Sequence, residues 1–311
     1  MTSESVDMLR NLTGRENVSS VTEPILVLKK KMAEMEGAFY FIQGADPQFG
    51  MIHFYDSSKN AWDEEMRLTS KAIQLINNMK PKPKFFVVCG DLTRFSKEIA
   101  ILHQHWVTTN CKRVLPRMVG TLDGGYKNGC TLFRLSTEEE LSSLRMYCVR
   151  YRHRIAQEKD FIKVFKELDE DIPLVCVCGN HEVNDEPIPS TIQNYREKYG
   201  DDYFSFYCGG VMFIVLNSQY FKDPKMVKDL AKKHEKWLDK QLKEAKSGKY
   251  KHVVIFQHIP WFVRKADERD MPHNLYSGIR TTMLKKFHEA KVNAICSCGH
   301  IHLGKCYDFY K

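Results

Sequence analysis

The sequence predicts an α/β fold, and two observations support this prediction. Short apolar runs rich in β-branched and aromatic residues alternate along the chain with longer stretches whose apolar residues recur at helical spacing. In addition, 43% of the 311 residues are hydrophobic, which is enough to build a large core. Alternation of buried strands with amphipathic helices is typical of layered α/β domains.

The predicted strands are the short apolar runs. Each run is continuous and bounded by polar residues, which is the pattern of a buried strand. The predicted strands are Phe39–Ile42, Phe85–Cys89, Leu174–Cys178, Val211–Leu216, Val253–Phe256 and Ala294–Cys298.

The predicted helices carry apolar residues on one face and charged residues on the opposite face. We expect residues 37–311 to form a single domain and the polar leader, residues 1–36, to be disordered. The predicted helices are Trp62–Met79, Ile155–Leu168, Thr191–Tyr199, Val227–Lys246 and Gly278–Ala290.

Composition narrows the classes of function. No apolar run approaches the roughly 18 residues of a membrane-spanning helix, and the first residues lack the apolar stretch of a signal peptide. These features predict a cytoplasmic protein with no membrane partner, whose ten cysteines are free thiols. The net charge of +8 comes from basic residues interleaved with acids on predicted helices, and no nucleic-acid-binding motif accompanies it. Nucleic acid is therefore not an expected partner.

Polar residues able to bind metal follow several of the predicted strands. In open α/β sheets, ligands bind beyond the carboxyl ends of the strands, so residues scattered in sequence can converge there on one site. We therefore expect a single metal cluster at these strand ends. The residues concerned are Asp46, Gln48, Asp91, Asn180, His181, His258, His300 and His302.

The residue types in this set favour phosphoester chemistry. Gly90 directly precedes Asp91, and glycine permits the tight turn that leads a ligand out of its strand. A carboxylate such as Asp91 can bridge two cations, while imidazoles and amide oxygens complete the coordination. Two cations about 3.5–4 Å apart acidify a bound water and stabilise both the attacking and the leaving oxygen. The sequence therefore predicts phosphoester hydrolysis.

The order of these motifs resembles that of the calcineurin-like metallophosphoesterase superfamily. The resemblance covers about residues 37–92 and 154–302, and it implies a four-layer α/β/β/α sandwich of two central mixed sheets flanked by helices. The matching motifs are Asp46-Pro-Gln48, Gly90-Asp91, Gly179-Asn180-His181-Glu182, His258 and Gly299-His300-Ile-His302.

The resemblance also implies a role for each motif residue. His181 would help protonate the leaving oxygen or stabilise transition-state charge, and Glu182 would orient that imidazole or its neighbours. The nucleophile would be a hydroxide bridging two divalent cations. The amide donor of Gln48 favours Mn²⁺ or Mg²⁺, while the imidazoles leave Fe and Zn²⁺ open. The implied ligands are Asp46, Gln48, Asp91 and His302 on one metal, and Asp91, Asn180, His258 and His300 on the other.

The implied activity is that of a phosphomonoesterase, with a serine/threonine-protein phosphatase as the favoured form and a phosphoprotein or another phosphomonoester as substrate. A phosphodiesterase or nucleotidase remains an alternative, because the same metal centre serves both reactions. An inactive binding protein of this fold is a second alternative. Phe49, Tyr220 and Trp261 are candidates for lining the substrate cleft, although core packing would explain them equally well.

Two segments depart from the family pattern. Residues 93–153 form an atypical insertion where a short loop is expected, and both an additional lid and a translated intron are compatible with it. Leu303–Lys311 is expected not to form the strands that complete the second sheet. An open sheet edge at this point would favour self-association.

Overall fold

Two β-sheets pack face to face, with helices covering both outer sides. The computed structural model of the chain describes residues 38–52, 62–94, 153–297 and 299–300, and the backbone of residues 305–308. Within these ranges the four layers follow the order helix, sheet, sheet, helix. The predicted α/β/β/α sandwich is therefore confirmed.

The first sheet is parallel and follows the order β1-β2-β3. Parallel neighbours require a crossover connection, and helices supply it on the outer face. The elements in chain order are β1 (Ile42–Gly44), α1 (Asp63–Asn77), β2 (Phe86–Cys89), α2 (153–165), β3 (Leu174–Val177), α3 (Asn180–Val183) and α4 (Pro189–Tyr199).

The second sheet is mixed and follows the order β4-β5-β6-β7-β8. The three central strands are parallel to one another, while β4 and β8 lie antiparallel at the two edges. The elements in chain order are β4 (Phe204–Cys208), β5 (Val211–Val215), α5 (Gln219–Lys222), α6 (Lys228–Ala245), β6 (His252–Phe256), α7 (Ser277–Glu289), β7 (Ala294–Ser297) and β8 (Lys305–Asp308).

Side chains along the central strands alternate between two cores. In β2, Val87 packs between the sheets and Val88 packs against the helices of the first sheet. In β5, Phe213 packs between the sheets, where its ring stacks on that of Phe206 at a centroid distance of 4.9 Å. Because both faces of these strands are buried, their sequences are apolar at successive positions.

Three strands depart from the sequence-based expectation. Strand β1 lies at Ile42–Gly44, whereas the predicted strand was Phe39–Ile42. Strand β4 was not predicted, although its buried residues alternate with half-exposed ones as expected of an edge strand. The prediction that Leu303–Lys311 forms no strand is wrong, because Lys305–Asp308 pairs antiparallel with β7. Strand pairing uses backbone groups, so a short segment without an apolar run can still add to a sheet. Strand β7 is therefore paired on both sides, and self-association stays a prediction.

Several predictions fall on residues outside the described ranges. These are the leader, most of the insertion at 93–153, and His302. Among the described residues, no helix combines the length and the apolar composition needed to cross a membrane. The following cysteines are free and buried: Cys89, Cys176, Cys178, Cys208 and Cys296.

Candidate metal centre

The carboxyl ends of strands from both sheets meet at one edge of the sandwich. Asp91 follows β2 in the first sheet, and His258 follows β6 in the second. Their side chains are almost fully buried, and His258 Nε2 lies 3.2 Å from Asp91 Oδ1. The site is therefore assembled across the interface between the two sheets.

The loops that carry these residues adopt left-handed backbone conformations. The angle φ is 51° at Asp46, 41° at Gln48, 51° at Asp91 and 70° at His300. For residues other than glycine this conformation costs about 1–2 kcal/mol, and it persists only where the surroundings impose it. Such residues cluster at functional sites, and here they coincide with the candidate ligands.

Gly90 shows why glycine precedes a ligand. Its φ is 81°, and a Cβ atom at this position would collide with Nδ1 of His258 and lie 2.9 Å from Cα of Gly179. The absence of a side chain lets the loop after β2 approach His258 and the loop after β3 closely.

Four ligand-type side chains converge at the centre of the site. His258 Nε2 lies 2.9 Å from Asn180 Oδ1, and His300 Nδ1 lies 3.0 Å from the same oxygen. Asp91, His258 and His300 each offer one atom, and these atoms all lie within 4.8 Å of one another. Such a cluster of oxygen and nitrogen donors matches the ligand chemistry of a divalent transition metal.

Backbone carbonyls hold one N–H group of each imidazole away from the centre. His258 Nδ1 lies 2.9 Å from the carbonyl oxygen of Cys89, and His300 Nε2 lies 3.4 Å from that of Pro272. A carbonyl can only accept, so each of these nitrogens acts as the donor, and the opposite nitrogen faces the cluster. This arrangement fixes the tautomer that a metal-binding histidine requires.

The electrostatics of the site favour a positive charge beside Asp91. Burial works against protonation of His258, but the charges of Asp91 and Asp46 outweigh it and raise the pKa of His258 to about 10. Burial would raise the pKa of Asp91, yet His258 and His181 hold it well below its usual range. The negative charges that retain a proton on His258 would equally stabilise a metal cation in place of that proton.

Asp46 and His300 also have shifted pKa values, for related reasons. Burial raises the pKa of Asp46 to about 7, with a further contribution from the charge of Asp91. Burial, together with the charge of His258, lowers the pKa of His300 to about 4. His300 is therefore neutral at pH 7 and has a lone pair available for a metal.

Asp91 has candidate partners on both of its oxygens. Its Oδ1 faces His258 and also accepts the backbone N–H of His181 at 3.0 Å. Its Oδ2 accepts the side-chain amide of Gln48 at 3.2 Å and lies 3.7 Å from His181 Nε2. Both carboxylate oxygens of Asp91 therefore face polar groups of the site.

Glu182 joins the ligand loops of β2 and β3. Its carboxylate accepts the backbone N–H groups of Gly179, Asp91 and Leu92 at 2.8–3.0 Å. Burial, followed by the charge of Asp91, raises the pKa of Glu182 to about 8, whereas these donors favour its ionised form. Its observed contacts are with backbone groups of both loops. The role expected from the sequence, that Glu182 orients His181 or its neighbours, stays a prediction.

The three aromatic cleft candidates lie in the core. Phe49 is 0% exposed and packs edge-on against Phe161, while Tyr220 and Trp261 are 3% and 1% exposed. Side chains this deeply buried cannot line an open cleft. Core packing, the alternative that the sequence left open, accounts for all three.

The structure also brings residues to the site that sequence reasoning did not single out. Asn217, Ser218 and Gln219 follow β5 and are fully buried. The ring of His273 lies 5.8 Å from that of His300. The available sequence signal is a polar trio directly after an apolar run, but these residue types are not typical metal ligands.

Comparison with known proteins identifies related chains. Residues 135–304 match the family model described as calcineurin-like phosphoesterase. Serine/threonine-protein phosphatase CPPED1 of Bos taurus is 38% identical over 278 residues, which cover 88% of this chain and 72% of that protein. The CPPED1 of Danio rerio is 36% identical over 282 residues, covering 88% and 74%. Purple acid phosphatase PPD1 from yellow lupin has a TM-score of 0.46 at 10% identity, covering 84% of this chain and 37% of that chain.

Proposed function

Because the chain belongs to the calcineurin-like phosphoesterase family, we propose that it is a metal-dependent phosphomonoesterase that removes phosphate from phosphoserine or phosphothreonine in proteins. The observation that carries the proposal is the convergence of Asp91, Asn180, His258 and His300 at the strand ends. Relatives named serine/threonine-protein phosphatase, at 38% and 36% identity, support the substrate class.

We propose two divalent cations for this donor set. Asp91, Asn180, His258 and His300 would hold one cation, and Asp46, Gln48, Asp91 and His302 would hold the other. Oxygen donors in the second group favour Mn²⁺ or Mg²⁺, and the imidazoles also suit Zn²⁺ and Fe. When bound, the cations would activate a water molecule and offset the negative charge of the phosphoryl group.

We propose His181 as the proton donor. Its backbone N–H is anchored on Asp91, its ring lies next to the same carboxylate, and its side chain stays 16% exposed. A partly exposed imidazole beside the cluster can reach the leaving oxygen of a bound phosphomonoester, which the buried His258 cannot. Protonation of that oxygen in the transition state would speed the release of the alcohol.

The experiment compares His258, which follows β6, with His252, the first residue of that strand. His258→Ala should abolish Mn²⁺-dependent hydrolysis of para-nitrophenyl phosphate, whereas His252→Ala, at the opposite end of β6, should leave it unchanged. Both proteins should also be assayed with phosphoserine, phosphothreonine and phosphotyrosine peptides. Undiminished hydrolysis by His258→Ala would refute the site.

A second comparison tests the reaction class with the wild-type protein. We expect faster Mn²⁺-dependent hydrolysis of para-nitrophenyl phosphate than of bis-para-nitrophenyl phosphate. Faster hydrolysis of the diester would indicate a phosphodiesterase instead. If neither ester is hydrolysed with any of the four metals, the assignment as an enzyme is contradicted.

A further inference from the structure

Three polar residues that belong to neither proposed metal site lie shortly after strand β5. Asn217, Ser218 and Gln219 are each 0% exposed. Burying polar side chains is costly unless they are hydrogen-bonded, so their partners indicate what the segment does.

Gln219 binds the turn that follows α3. Its Nε2 donates to the carbonyl oxygen of Asn184 at 2.8 Å and to that of Asp185 at 3.4 Å. Asn184 has φ of 77°, a left-handed conformation that a non-glycine residue adopts only when its surroundings impose it. Gln219 therefore fixes the backbone position of Asp185.

Asp185 in turn orients a proposed metal ligand. Its Oδ1 accepts a hydrogen bond from Asn180 Nδ2 at 3.0 Å. An amide carries its oxygen and its nitrogen on opposite sides, so occupying the nitrogen turns Asn180 Oδ1 toward His258 and His300. Without Asp185, the amide could rotate and present a donor to the cation.

The other two residues hold the neighbouring loops. Ser218 Oγ accepts the backbone N–H of Ile259, the residue directly after His258, at 3.0 Å. Asn217 accepts the backbone N–H of Gln219 at 3.1 Å and donates to Asp202 at 2.9 Å. The segment therefore connects the ligand loop after β3 with the ligand loop after β6.

We propose that Asn217–Gln219 is a positioning element for the metal centre and that it acts on the cation through the chain Gln219, Asp185 and Asn180. This inference rests on the proposed function, because it assumes that Asn180 is a ligand. Groups that orient metal ligands typically contribute 10- to 100-fold to metal affinity.

The experiment measures Mn²⁺ affinity by calorimetric titration of metal-depleted protein, with thermal unfolding of the same samples. Asp185→Ala should weaken Mn²⁺ binding about 10- to 100-fold without lowering the unfolding temperature of the metal-free protein. Asp185→Asn retains an acceptor oxygen and should restore most of the affinity. Glu186→Ala removes a neighbouring exposed carboxylate and is the matched control, with affinity unchanged.

The role of Gln219 is tested by coupling. Gln219→Met should weaken Mn²⁺ binding, and the double variant with Asp185→Ala should bind no more weakly than Asp185→Ala alone, because both act through Asn180. Should Gln219→Met not fold, Gln219→Glu, which keeps the size but lacks the amide donor, replaces it in the same cycle.

Two outcomes would overturn the inference: affinity of Asp185→Ala equal to that of Glu186→Ala, or additive losses in the double variant. Wild-type protein that binds no Mn²⁺ would instead contradict the proposed function.

Discussion

His234 provides a test of how the core responds to pH. It lies on α6, is 0% exposed, and is surrounded by aromatic rings, of which Tyr203 is the nearest at a centroid distance of 4.7 Å. Neither ring nitrogen has a hydrogen-bond partner among the described residues. Burial alone lowers the pKa of His234 to about 3 from an ordinary value of 6.5.

The direction of the pH effect follows from proton binding. A histidine with a lowered pKa in the folded state takes up its proton mainly when the chain unfolds. Its contribution to stability is therefore complete above about pH 6.5 and is lost as the pH falls toward 3. Between pH 7 and pH 5 the loss in the free energy of unfolding should be about 2 kcal/mol.

His234→Leu removes the titrating group and fills nearly the same volume. We expect the stability of this variant to fall by about 2 kcal/mol less than that of the wild type between pH 7 and pH 5. The assay is urea unfolding of metal-depleted protein at both pH values. Subtracting the stability loss of one protein from that of the other removes the contribution of titrating groups that both proteins share. His288→Leu, at an exposed position on α7, should behave as the wild type. Equal losses in His234→Leu and wild type would refute the assigned environment.

Three further perturbations test the site and its supporting loops. Gly90→Ala should lower Mn²⁺ affinity and stability more than Gly248→Ala, because both glycines have positive φ but only the Cβ added at position 90 would crowd His258. Equal effects of the two substitutions in titration and urea unfolding would contradict this. His181→Asn should retain Mn²⁺ while kcat falls about 10²- to 10⁴-fold, and loss of metal would contradict its role as a proton donor. Arg280→Met should lower the free energy of unfolding by about 1–3 kcal/mol for each backbone carbonyl that loses its hydrogen bond. An unchanged midpoint in urea unfolding would show that these hydrogen bonds do not stabilise the fold.

The loop between β6 and α7 shows why Arg280 matters. The guanidinium is fully buried and donates to the carbonyl oxygens of Trp261, Leu275 and Glu268. This loop carries Pro272, whose carbonyl accepts from His300 Nε2 at 3.4 Å. Arg280 therefore supports the position of a candidate ligand without contacting it.

Much of the fold could be predicted because the central strands are buried on both faces. Such strands must be apolar at successive positions, so β2, β5, β6 and β7 appear in the sequence as continuous runs with nearly correct boundaries. Strand β3 also appears as such a run, because its residues are buried or half-buried although it lies at the edge of the first sheet. Edge strands β4 and β8 lack this signal, since one face or one side of an edge strand is not covered.

The sequence by itself determined which side chains could form the metal centre. Asp91, Asn180, His258 and His300 have the required chemistry, and each follows a strand at the end where ligands bind. These features are local, because a strand and the residue that leaves it are adjacent in the chain.

Only the tertiary structure decided which residues support that centre and which belong to the core. Asn180 and His258 are 78 positions apart, yet their ligand atoms lie 2.9 Å from each other. The hydrogen bond from Gln219 to Asn184 likewise spans 35 positions, and the burial of Trp261 depends on α5 and α7 packing around it. Such contacts arise from the way the two sheets and their loops pack, and packing between distant segments leaves no periodic or local pattern in the sequence.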